Sequence, residues 1–120
     1  MKLLGLSLLV ALPAALAACG ADRRSAPPAP NEVLLTEYRF DPRDLTVTPG
    51  TELSVRNDGQ LAHDLTIERP GSGRRLIGTN VFLSGDGGKL RVELPPGRYK
   101  MVCTVPGHAQ RGMVGMLRVR

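Results

Sequence analysis

The sequence predicts an all-β domain, an antiparallel sandwich of about seven to eight strands, and three observations predict it. From Val33 onward, short runs alternate apolar and polar residues with a period of two. Turn-forming clusters separate those runs, at Pro49-Gly50, Asn57-Asp58-Gly59 and Pro95-Pro96-Gly97. No segment of the folded part sustains the apolar 3.6-residue period of a helix.

The elements follow in order. Val33 to Phe40 and Asp44 to Thr48 are the first strands, closed by the Pro49-Gly50 turn. Glu52 to Asn57 points Leu53 and Val55 inward and its charged or polar residues outward. His63 to Glu68 alternates again, with His63, Leu65 and Ile67 on one face. The glycine-rich stretch from Pro70 to Gly87 is a loop with room for one short strand around Leu76 to Leu83. Lys89 to Leu94 shares Leu90, Val92 and Leu94 on a face, and Arg98 to Cys103 follows the next turn. The last strand starts near Met113, with Gly115, Leu117 and Val119 inward and Arg118 and Arg120 outward.

Ahead of this domain, residues 1–18 read as an export signal. Lys2 gives a positive start, and Leu3 to Leu16 is almost unbroken apolar sequence ending in small residues. It is short and lightly flanked for a transmembrane helix. Leu16-Ala17-Ala18-Cys19 resembles the lipobox of bacterial lipoproteins. That resemblance implies cleavage before Cys19, lipidation of Cys19 and anchorage to a bacterial membrane, facing the periplasm or the cell exterior. The alternative, which the residues before Cys19 make the weaker one, is a plain secretory signal with an incidental cysteine. Residues 19–32 form a proline-rich linker that, fully stretched, reaches on the order of 40 Å. Residues 33–120 are the folded domain, large enough for one core.

The chain carries a formal net charge of +5. Loss of Lys2 with the signal leaves +4. The arginines are scattered and not interleaved with aromatic residues, which excludes a nucleic-acid-binding pattern. A positive surface favours acidic partner surfaces or anionic headgroups through steering, although a solvated face with no partner explains it equally well.

The scarce ligand-type residues converge. The chain has two histidines, His63 and His108, and two cysteines, Cys19 and Cys103. Assigning Cys19 to the N-terminus leaves Cys103 unpaired in an exported protein, which points to a reactive or metal-binding role, with an intermolecular disulfide as the plain alternative. Cys103, His108 and Met113 fall in one run with four residues between each pair. Taken singly, each residue has an ordinary reading. His63 can be a satisfied histidine at a strand start, His108 a loop residue, Cys103 a small buried hydrophobe and Met113 core filler. Together, a thiolate, two imidazoles and a weak thioether are the donors of a blue-copper electron-transfer site. Met116 is a rival axial donor, but strand alternation places it opposite Met113, Leu117 and Val119.

At these residues the chain resembles the cupredoxins, the plastocyanin- and azurin-like blue copper proteins. Gly97-Arg-Tyr99-Lys-Met-Val-Cys103, Pro106-Gly107-His108 and Gly112-Met113-Val-Gly115 look like the C-terminal signature of that family. Asn57-Asp-Gly-Gln-Leu-Ala-His63-Asp64 resembles the segment that supplies its first histidine. The ligand loop is longer than in plastocyanin and is similar in spacing to rusticyanin, auracyanin and sulfocyanin.

The resemblance implies a Greek-key sandwich, one copper ion cycling between Cu(I) and Cu(II), and metal ligands His63, Cys103, His108 and Met113. It implies a monomeric carrier of single electrons between redox partner proteins, and no enzymatic reaction. It further implies a structural Tyr99 and a docking port at His108 with Pro106, Gly107, Ala109 and Met113, rimmed by Gln110 and Arg111. The residue after the first histidine is commonly Asn in the family. Here it is Asp64, expected to tie down Thr104 and to lower the redox potential.

Other function classes fit less well. Copper chaperones and buffers favour open sites rich in Met or His, and after loss of Met1 this chain keeps few of either. A metal-free adhesion domain leaves the donor set unexplained. Copper nitrite reductases and multicopper oxidases need more histidines, and a binuclear copper centre needs a second loop cysteine. Zinc accepts Cys and His ligands but gains little from a thioether.

Overall fold

The computed structural model describes residues 27–120, so the signal segment, Cys19 and the first part of the linker lie outside the described residues. Nine strands make two sheets. They are β1 (Glu32–Thr36), β2 (Arg39–Asp41), β3 (Asp44–Val47), β4 (Glu52–Asn57), β5 (Thr66–Glu68), β6 (Arg75–Gly78), β7 (Gly87–Arg91), β8 (Gly97–Val102) and β9 (Val114–Val119). One sheet has the order β2-β1-β4-β7 and the other β3-β9-β8-β5-β6. Among the described residues the helical content is a single 3₁₀ turn, Ala109–Arg111. No helix among them is long and apolar enough to cross a membrane.

The period-two pattern does the packing. In β4, Leu53, Val55 and Asn57 are buried while Glu52 and Arg56 face solvent. Leu35, Phe40, Leu65, Ile67, Met101 and Leu117 fill the space between the sheets, each at most 1% exposed. Burial of side chains this size stabilises the fold by about 1.5–3 kcal/mol each. Tyr99 packs on this core and its hydroxyl donates to the Pro95 carbonyl at 2.6 Å. The tyrosine therefore fastens the β7–β8 connection, the structural role expected of it.

The all-β sandwich agrees with the sequence, and its details differ in five respects. The pairing is mixed and not purely antiparallel, since β1–β4 and β3–β9 are parallel. The chain changes sheet between β2 and β3 and again between β3 and β4, so these neighbours in sequence are not neighbours in a sheet. Local alternation cannot report that. The expected strand from Val33 to Phe40 is a hairpin, β1 and β2, because Tyr38 turns the chain at φ 59°. The segment before β5 pairs only through a bridge between His63 and Phe82. Finally, β7 starts at Gly87 and stops at Arg91, short of Leu94. Gly87 lies so close to β4 that a Cβ there would meet the Val55 carbonyl oxygen at 2.6 Å.

The linker boundary is close to expectation. Glu32 N–H donates to the Ala29 carbonyl at 2.9 Å, and its carboxylate accepts from Ala29 N–H at 3.0 Å. A small turn thus closes just before the sandwich begins.

Candidate metal centre

Two segments meet at one end of the sandwich. The first carries His63. Its backbone is held on both sides by Phe82, with N–H to O distances of 3.1 and 2.8 Å. Below it, buried Asn57 donates to the carbonyls of Leu61 (2.7 Å) and Phe82 (2.9 Å) and accepts from Gly59 N–H (2.9 Å). One amide therefore ties the turn before His63 to Phe82, the bridge partner of His63.

The second segment is the loop from β8 to β9. Cys103 follows directly on β8, and its N–H donates to the Met113 carbonyl at 3.2 Å. Met113 N–H in turn donates to the His108 carbonyl at 3.1 Å. Gly107 and Gly112 adopt φ 84° and 105°, conformations that admit glycine freely, and they let the loop fold back on itself. Asp64 crosses between the segments. Its Oδ1 accepts from Thr104 N–H at 2.6 Å and its Oδ2 from the Thr104 hydroxyl at 2.5 Å. The expected tie between Asp64 and Thr104 is present.

His63, Cys103 and His108 bring one donor atom each to within 4.8 Å of the others, and all three are buried. The Nδ1 atoms of the two imidazoles are 3.1 Å apart, and Cys103 Sγ lies 3.6 Å from His108 Nδ1. At this distance one ring can donate to the other, and with both Nδ1 atoms unprotonated the two can share one cation. Met113 is fully buried in the same core cluster as Cys103.

Electrostatics prepare the donors. Burial pushes the His63 imidazole below its ordinary pKa, opposed by the Glu37 carboxylate and reinforced by His108. A neutral imidazole is the form that binds metal. Burial pushes the Cys103 thiol up, opposed by hydrogen bonding from the backbone. To hold a metal ion Cys103 would give up that proton and bind as the thiolate. Soft sulfur with two imidazoles, enclosed and short of water, fits copper.

The surroundings hold two residues that sequence reading missed. Glu37 Oε1 lies 3.5 Å from His63 Nε2. The Tyr38 ring stands edge-on to His108, with centroids 5.1 Å apart and planes at 88°. Both sit in a stretch that reads as uninterrupted strand, and no motif marks them. The expected port is also altered. His108 is 9% exposed, with Tyr38 against it, and Met113 is too deep to contribute surface.

Comparison with known proteins places this geometry in context. Residues 31–120 match a family model described as copper binding proteins, plastocyanin/azurin family. No curated protein matches the chain. Among solved structures, auracyanin from Roseiflexus castenholzii aligns with a TM-score of 0.65 at 21% identity, over 74% of this chain and 94% of that one. A purple cupredoxin from Nitrosopumilus maritimus gives 0.60 at 22%, over 74% and 98%. A plastocyanin from the fern Dryopteris crassirhizoma gives 0.59 at 21%, over 74% and 99%. A copper-containing nitrite reductase from Thermus scotoductus gives 0.59 at 20%, but only 23% of that chain is covered. At these identities the structural likeness is one of fold.

Proposed function

Because the chain belongs to the plastocyanin/azurin family of copper-binding proteins, we propose that it is a type 1 copper protein carrying single electrons between redox partners in the bacterial cell envelope. The observation that carries this reading is the buried cluster of His63, Cys103 and His108 donor atoms. Copper bound there supplies a one-electron Cu(I)/Cu(II) couple. Cys103 would give a soft thiolate, His63 and His108 neutral imidazoles, and Met113 a weak thioether. Strands and cross-segment hydrogen bonds hold these side chains, so little movement accompanies a change of oxidation state. His108, the most exposed of the four, is the point where electrons enter and leave.

The chain performs no bond chemistry in this reading. The nitrite reductase resemblance does not extend to catalysis, because both histidines of this chain are already used in one site. Cys19 carries the lipid that keeps the domain at the membrane, and residues 20–31 give it reach. Its partners are proteins with acidic docking surfaces, and it works as a monomer.

The test is a visible spectrum of residues 21–120 with Cu(II), beside a Cys103→Ser control. An intense thiolate-to-copper band, absent from the control, is the expected result. A colourless protein that binds Cu(I) alone would move the assignment to copper handling in the periplasm.

A further inference from the structure

The two-residue turn between β1 and β2 lies against both imidazoles. His63 is fully buried, and its Nε2 is the one buried side-chain nitrogen or oxygen among the described residues without a hydrogen-bond partner. The group facing it is the Glu37 carboxylate, whose Oε1 is 3.5 Å away. At that distance the charge is felt, but no good hydrogen bond is formed.

Glu37 is held in place. The same Oε1 accepts from the backbone N–H groups of Gln60 at 2.5 Å and Leu61 at 3.0 Å. The carboxylate packs so closely on Gly59 that a Cβ there would run into it. Tyr38 secures the other half of the turn. Its hydroxyl accepts from Arg111 Nη1 at 2.9 Å, and the Arg111 guanidinium lies 4.9 Å from its ring centroid. Tyr38 also keeps φ 59°, an uncommon value for a bulky residue that the surroundings must enforce. An exposed glutamate in a free hairpin has no reason to be fixed in this way.

We propose that Glu37 is a positioning residue for the copper site, acting through His63. Its carboxylate faces His63 Nε2, and its charge favours the tautomer that carries the proton there and turns the Nδ1 lone pair to the metal. Its negative charge favours Cu(II) over Cu(I). Metal-bound histidines commonly donate their second N–H to a carboxylate or carbonyl, and losing that partner costs about 10–100-fold in metal affinity. This inference rests on the copper reading above and adds to it a residue that touches no metal.

The experiment compares the copper-loaded full-length protein with Glu37→Gln and Glu37→Ala. Glu37→Gln keeps an oxygen for Gln60, Leu61 and His63 and removes only the charge. It is expected to weaken Cu(II) binding about tenfold with Cu(I) binding unchanged, which raises the potential by about 59 mV for a one-electron couple. In the Cu(I) form, ¹⁵N NMR is expected to show a His63 Nε2–H protected from exchange in the unmutated protein and in Glu37→Gln. That protection is lost in Glu37→Ala. An unchanged potential in Glu37→Gln, with the thiolate-to-copper band intact, overturns the inference and leaves the copper reading standing. Absence of that band from the unmutated protein overturns both. If Glu37→Ala fails to fold, the potential of Glu37→Gln decides alone.

Discussion

Both oxygens of the Asp64 carboxylate are committed to Thr104, one to its N–H and one to its hydroxyl. Thr104 follows Cys103 directly, so this pair fixes the direction in which the sulfur leaves the chain. A neutral Asn keeps one acceptor for the Thr104 N–H and removes a negative charge from beside the metal site. Asp64→Asn is therefore expected to raise the redox potential with little loss of stability, as measured by potentiometric titration of the blue band. An unchanged potential would leave Asp64 with a purely mechanical role. His63, Cys103, His108 and the Asp64–Thr104 tie were all legible in the sequence. The histidines and Cys103 lie within two short runs and are scarce residue types in this chain, and the Asp64–Thr104 tie followed from the family resemblance. Glu37 and Tyr38 were not legible. They reach His63 and His108 from a distant hairpin, and the Tyr38 turn breaks a stretch whose apolar pattern runs straight through it.

Among the elements, β9 is the one that joins the site to the rest of the second sheet. It pairs antiparallel with β8 and parallel with β3, and it begins one residue after Met113. Gly115 permits this double pairing. A Cβ there would drive into the Arg43 carbonyl and press on Met101, which is fully buried. The obstacle at Arg43 is backbone, which cannot swing aside as the end of a flexible side chain can. Gly115→Ala is expected to destabilise the protein by about 1–3 kcal/mol in denaturant titration. Copper loading should recover part of that loss, since ligands that bind only the folded state stabilise it. A variant as stable as the parent would mean that β3 and β9 separate at no cost. The sequence placed Gly115 on the inner face correctly. It gave no sign that β3 would lie alongside, because parallel pairing between distant strands leaves no trace in local alternation. The same limit explains why the sandwich was predictable as a class while its mixed sheet order was not.

At the scale of the molecule, the charge visible in the composition acquires a position. The full chain carries +5, with no run of basic residues to mark a face. Folding brings Arg111 onto the Tyr38 ring, which itself stands against His108. A positive group thus sits beside the least buried metal-site histidine, where electrons are expected to pass. Exposed charges act over roughly 10 Å at 0.1 M salt, so Arg111 is felt locally even though the overall charge is screened. Electron exchange between the reduced protein and a small anionic oxidant such as ferricyanide is expected to slow as salt is added. Exchange with a cationic cobalt complex is expected to speed up under the same conditions. Arg111→Glu separates the local effect from the global one. It should lower the low-salt rate with the anion severalfold and converge with the parent at high salt. If the variant instead keeps the parent's salt dependence, electrons leave through some part of the surface other than the edge beside Tyr38 and Arg111. The preference for acidic partners would then belong to the scattered arginines as a whole.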